Sequence, residues 1–176
     1  MFKFSRKQTL INFQDIKNRI LKKDNIYFLF IISIIFFLDR YSKIKIINNF
    51  SDNISHINDF INFSLVWNTG IGFGFLSTNS NLIYNSITTI IGLVIIFLIY
   101  LIFKSKNIDK ILFSLILGGA LGNFYDRLVY FAVPDFIDIH YNNFHWFTFN
   151  IADIFITIGI LLIIIKELFL KNVKDL

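Results

Sequence analysis

The chain has 176 residues, 55% of them hydrophobic, with one proline and no cysteine. A mean hydropathy of +0.63 is high for a soluble domain of this length and points to one compact membrane domain, while the absence of cysteine excludes thiol catalysis, disulfides and thiolate metal sites. The net charge is +5, and its distribution along the chain says more than its size.

Residues 1–24 form a basic leader with Lys3, Arg6, Lys7, Lys17, Arg19, Lys22 and Lys23. Within it, 7–23 fits either an amphipathic helix on an anionic leaflet, with Leu10, Phe13, Ile16 and Ile20 on one side, or a loosely ordered tail. Four apolar runs follow, each of about 20 residues, the length a bilayer core requires. They cover about 25–47, 82–103, 111–130 and 149–168. The first has no small-residue cleavage site and continues into Asp39-Arg40, so it reads as a retained span and not a signal peptide. The predicted domains are therefore 1–24, a membrane domain over 25–168, and a tail over 169–176.

Basic residues fix the expected orientation. Besides the leader, they occupy the loop between spans two and three (Lys104, Lys106, Lys110) and the C-terminal end (Lys166, Lys171, Lys174). The connections 48–81 and 131–148 contain neither Lys nor Arg. The positive-inside rule then places both termini in the cytoplasm and the two polar connections outside.

With that orientation, the polar residues inside the spans converge at one depth. Asp39 lies roughly 20 Å along the first span, and Lys43 follows one helical turn later on the same face. The third span reaches the outer boundary with Asn123, Asp126 and Arg127. The fourth begins there with Asn150 and Asp153, and Asp135 follows the third span closely. A carboxylate at membrane depth costs a few kcal/mol or more, so its default reading is functional. Asp135 and Asp153 have no basic residue in their own segments, and Pro134 fixes the backbone before Asp135. Two such carboxylates suggest a pair that shares a proton and activates water.

Other readings stand beside this one. Asp39 with Lys43, and Asp126 with Arg127, also fit structural charge pairs. Gly118 and Gly122 form a small-xxx-small pattern suited to close helix packing. Asn68 fits a turn. His56, His140 and His145 are scattered over the outer connections without metal-site spacing, and Trp67 and Trp146 suit interfacial anchors. Intramembrane aspartates also mark ion paths, so a small proton-coupled or ion-conducting protein is the alternative function. Against it, the chain has no internal repeat and its acids sit at one edge.

Four blocks, in order, resemble the lipoprotein signal peptidases (type II signal peptidases). They are Asp39-Arg40-Tyr41-Ser42-Lys43, Asn68-Thr69-Gly70-Ile71-Gly72-Phe73, the long stretch Gly118–Arg127 with Val133-Pro134-Asp135-Phe136, and Phe149-Asn150-Ile151-Ala152-Asp153. The resemblance implies an all-α integral membrane fold of four transmembrane helices, with a small extracytoplasmic β-rich cradle between helices 1 and 2. It implies an intramembrane aspartyl endopeptidase of the bacterial inner membrane. Such an enzyme cuts diacylglyceryl-modified prolipoproteins before the lipidated cysteine. It further implies no cofactor, no metal, no nucleic-acid partner, and a monomer among membrane lipids. Carried onto this chain, the catalytic pair is Asp135 and Asp153, supported by Asp39, Lys43, Asn68, Asn123, Asp126, Arg127 and Asn150. Gly72 stands where the family usually has alanine, Phe131 where glycine is usual, and Pro134 where a β-branched or small residue is commoner.

Overall fold

The computed structural model describes residues 23–50, 54–71, 80–105, 107–142 and 144–174. The expected amphipathic segment over 7–23 lies almost entirely outside these, as do Gly72 and Phe73. Among the described residues, four long helices account for the apolar runs: α1 (Lys23–Asn49), α2 (Asn81–Lys104), α3 (Asn107–Tyr130) and α4 (Ile151–Lys174). Between them lie four short strands, β1 (Ser55–Asn58), β2 (Ile61–Asn68), β3 (Val133–Tyr141) and β4 (Phe144–Phe149).

The strands form one antiparallel sheet in the order β1-β2-β3-β4. This corrects the expected cradle. Only half of it comes from the connection between the first two helices, and β3 and β4 come from the connection between α3 and α4. The seam is β2 against β3, with Val66 opposite Asp135 and Asn68 opposite Val133. That pairing brings two segments far apart in sequence to one end of the helices. The fourth apolar run also begins two residues late. Phe149 closes β4, and the helix starts at Ile151.

α3 is the central helix and packs against the other three. Its first half is apolar, and Ile116 and Leu117 bury themselves with Ile95, Leu98 and Ile102 of α2. Its second half approaches α1 closely. A Cβ on Gly118 would meet the Ile35 side chain at 2.9 Å, and one on Gly122 would meet Asp39 Oδ2 at 2.4 Å. The small-residue pattern thus sets the separation of the two helices. α3 ends at Tyr130, and the next residue, Phe131, has a left-handed φ of 56°. The turn expected of glycine is kept by a bulky residue, at a cost of about 1 kcal/mol.

The molecule is apolar outside and charged inside. Phe30, Phe37, Leu93, Ile96 and Leu161 project outward, whereas Asp39, Lys43 and Asp126 are completely buried. α2 and α3 are each long and apolar enough to cross a membrane. α1 and α4 have comparable apolar runs but carry Asp39, Arg40 and Lys43, or Asp153, Lys166 and Glu167.

Candidate active site

The site forms where the sheet meets the C-terminal ends of α1 and α3 and the start of α4. Its base is a charge cluster between α1 and α3. The Lys43 ammonium donates all three of its hydrogen bonds, to Asp39 Oδ2 at 2.7 Å, Asp126 Oδ2 at 2.7 Å and Asn123 Oδ1 at 2.8 Å. The other oxygen of Asp39 accepts the backbone N–H of Ala152 at 2.9 Å, in the first turn of α4. That position suits a carboxylate, because the helix N-terminus presents unpaired N–H groups and a positive dipole end. The other oxygen of Asp126 accepts from Arg40.

Asn123 carries the network onward. Its side-chain oxygen is held by Lys43, so its amide points away and donates to Asp153 Oδ1 at 2.8 Å. Asp153 then forms a reciprocal cap with Asn150. The Asn150 backbone N–H donates to Asp153 Oδ2 at 3.2 Å, and the Asp153 N–H donates to Asn150 Oδ1 at 3.1 Å. This is a capping box, with Asn at the N-cap and Asp three residues later.

The remaining amide hydrogens of Asn150 lead to the second carboxylate. Asn150 Nδ2 donates to Asp135 Oδ1 at 2.6 Å, and Asn68 Nδ2 donates to Asp135 Oδ2 at 2.9 Å. Asn68 is fixed in turn, since its oxygen accepts the Gly70 N–H at 2.8 Å and its amide also reaches the Ile71 carbonyl at 3.0 Å. Asp135 is buried, and that burial raises its pKa to about 7, with the negative charge of Asp153 acting in the same direction. The hydrogen bonds from Asn68 and Asn150 pull the other way but do not cancel it. Asp153 as a residue is half-buried, and both of its carboxylate oxygens accept hydrogen bonds.

All nine residues expected at the site lie in this network or at its edge. Arg127 is at the edge. It donates to the Gly70 carbonyl, lies over the Tyr84 ring, and accepts the Tyr84 hydroxyl at its own carbonyl, at 2.8 Å. It does not pair with Asp126, so the structural charge pair considered for these neighbours does not form. Adjacent helical positions send the two side chains in different directions.

Sequence reasoning missed two features. Arg40 joins the charge cluster through Asp126, donates to the Tyr130 hydroxyl at 3.2 Å, and lies over the rings of Tyr125 and Tyr130. Its partners are more than 80 residues away in sequence, so nothing local marks it. The scattered histidines also come together. The His140 ring centre lies 6.2 Å from that of His56 and 5.3 Å from that of His145. His145 donates to Asp138 at 2.7 Å. Among the described residues no group of three or more His, Asp or Glu side chains is placed to hold a metal ion.

Comparison with known proteins gives a consistent result. The sequence profile described as signal peptidase (SPase) II matches residues 31–169. The lipoprotein signal peptidase of Pelagibacter ubique (strain HTCC1062) is 50% identical over 160 residues, covering 89% of this chain and 96% of that protein. The lipoprotein signal peptidase of Polynucleobacter necessarius subsp. necessarius (strain STIR1) is 44% identical over 146 residues, covering 80% of this chain and 88% of its own. A bacterial membrane enzyme solved by the in meso method at 2.3 Å superposes with a TM-score of 0.68 at 33% identity, covering 81% of this chain and 87% of that one. A second, solved by the same method at 1.9 Å, gives a TM-score of 0.66 at 32% identity, covering 81% and 92%.

Proposed function

The chain belongs to the signal peptidase II family, and from that premise we propose that it removes signal peptides from lipoprotein precursors by aspartyl chemistry, with Asp135 and Asp153 as the reacting pair. The observation that carries this reading is the position of Asn150, which hydrogen-bonds to both carboxylates at the junction of sheet and helix. Among the described residues no cation forms an ion pair with Asp135, whereas Asp39 and Asp126 are both paired with Lys43, and Asp126 also with Arg40. The reacting pair is thus separated from the structural carboxylates by its partners.

Two nearby carboxylates in a poorly solvated site hold one proton between them near neutral pH. The ionised member takes a proton from water as that water attacks the scissile carbonyl carbon. The protonated member donates a hydrogen bond to the carbonyl oxygen, then passes its proton to the leaving amine. The two members titrate as a unit, and the pair is the base. Asn123, Asn150 and Asn68 hold the carboxylate oxygens, so the pair loses little orientation during reaction. Arg127 adds positive potential beside it.

The four helices are read as four spans, with both termini cytoplasmic and the sheet outside. The outward apolar faces of α1 and α4 support the spans, because Asp39, Arg40 and Lys43 of α1 are buried in the interior while Lys166 and Glu167 lie toward the C-terminal end of α4, and the basic residues supply the orientation. The reacting pair then lies near the outer face of a bacterial cytoplasmic membrane. A diacylglyceryl-modified precursor reaches it sideways through the bilayer and is cut before the lipidated cysteine. Residues 25–168 form the peptidase domain, flanked by the basic leader and a short tail, and the enzyme acts as a monomer.

The test is a gel-shift assay with the full chain in detergent and a diacylglyceryl-modified prolipoprotein, with and without a chelator. Wild type cleaves in both conditions, and Asp135→Asn and Asp153→Asn remain folded without cleaving. Near-normal cleavage by either variant removes that residue from the pair. Loss of wild-type cleavage on chelation overturns the aspartyl reading.

A further inference from the structure

Four charged side chains lie behind the reacting pair, and the family resemblance assigns roles to three of them. Asp39 and Asp126 are both fully buried with Lys43 between them. Those three alone carry one net negative charge. Arg40 supplies the missing positive charge through Asp126, and it is itself nearly buried, with a side-chain exposure of 9%. Its guanidinium is fixed by Tyr125 at 4.6 Å and Tyr130 at 5.5 Å from the ring centres, and by the Tyr130 hydroxyl. Arg40 thus has a defined place in a neutral group of four. A direct relay runs from this group to the reacting carboxylate, from Asp126 to Lys43, to Asn123, to Asp153.

We infer that Arg40 is a positioning residue that keeps the cluster behind the reacting pair electroneutral and thereby sets the pH range in which the pair holds its single proton. The inference rests on the aspartyl reading above. Coulomb interactions in a poorly solvated interior are felt across several side chains, because little water is present to screen them. A net negative cluster would hold the proton on the pair more tightly, and a net positive one would loosen it. The charged and titratable groups facing the pair are Asp39 and Lys43 from α1, Asp126 and Arg127 from α3, and Tyr84 from α2 through Arg127. Arg40 stands behind this group, and among the described residues it and Lys43 are the cations bound to Asp126. Lysine at position 40 would retain the charge but lose the planar fork and the ring contacts.

Charge exchange tests this without depending on any single variant. The pH dependence of kcat is measured for the full chain in detergent, together with its melting temperature, for wild type, Arg40→Gln, Asp126→Asn, the double variant, and Arg40→Lys. Arg40→Gln is expected to move the alkaline limb of the profile up by on the order of half a pH unit, and Asp126→Asn to move it down by a similar amount. The double variant restores neutrality and returns the limb to the wild-type position, and Arg40→Lys leaves it there even where the melting temperature falls. Limbs that stay in place in both folded single variants overturn the inference, as does a double variant displaced further than either. If Arg40→Gln does not fold, Asp126→Asn and the double variant still give the comparison. A failure of the aspartyl reading itself looks different, because Asp153→Asn would then cleave.

Discussion

Asn150 and Asp153 cap each other at the start of α4, each accepting the other's backbone N–H, at 3.1 and 3.2 Å. The arrangement ties catalysis to folding. A capping aspartate has one oxygen committed to the backbone, so its carboxylate plane is fixed by the helix it begins. The second oxygen of Asp153 then faces Asn123. The spare amide of Asn150 reaches Asp135 across the sheet. One local motif of four residues therefore sets the separation of the two carboxylates.

Asn150→Ser separates these roles. Serine keeps a side-chain oxygen that caps the Asp153 N–H, at little cost in stability. It has no amide to donate to Asp135. The expected result is a melting temperature near wild type with a kcat reduced at least about tenfold. Equal losses of stability and rate would show that Asn150 acts only as a cap.

Lys43 has no spare hydrogen bond, and its three acceptors include two fully buried carboxylates. Replacing it with Met preserves much of the volume and leaves those carboxylates facing each other. Breaking a buried ion pair from one side costs on the order of 3 kcal/mol. Lys43→Met is expected to lower the melting temperature in detergent markedly and to abolish cleavage as Asn123 loses its anchor. An unchanged midpoint would refute the pairing.

The parts legible in the sequence were those governed by local spacing or by the bilayer. Runs of about 20 apolar residues located four helices, and the i, i+4 spacing of Asp39 and Lys43 foresaw their contact. The sheet was harder to read. β3 and β4 carry Asp, His and aromatic residues on either side of Asn142 and Asn143, in a chain biased toward amides and aromatics, so their alternation is weak. The β2–β3 seam depends on a pairing between segments about 70 residues apart, Asn68 with Val133 and Val66 with Asp135. The same distance hid Arg40. Beside Asp39 it looks like a flanking charge, and only the packing of α1 on α3 shows it bound to Asp126.

Gly118 and Gly122 share a face of α3 but meet different neighbours. A methyl group at Gly118 would press on the Ile35 side chain at 2.9 Å, and one at Gly122 would strike the Asp39 carboxylate at 2.4 Å. Gly118→Ala is expected to cost about 1–3 kcal/mol of stability as the helices separate, with near-normal kcat for the folded fraction. Gly122→Ala displaces Asp39 from Lys43 and from the α4 terminus, so kcat falls at least about tenfold as well. The comparison is made by pairing thermal melts in detergent with cleavage rates at saturating precursor. Equal kcat values in the two variants would contradict the placement of Asp39.

Asp135 gives a pH signature independent of cleavage. Its pKa is raised from 3.8 to about 7 by burial and by the charge of Asp153. Between those values the folded protein holds a proton that the unfolded chain has released, so stability decreases as pH rises through that window. The contribution is fully present below about pH 4 and lost above about pH 7. Asp135→Asn removes the titration while keeping the shape and an acceptor oxygen. The variant is expected to match wild type near pH 4 and to exceed it above pH 7 by on the order of 4 kcal/mol. Melting temperatures of both proteins across that range, in one detergent, measure the difference directly. A gap that stays constant with pH, or that widens toward acid, would mean that Asp135 is not held protonated by its surroundings.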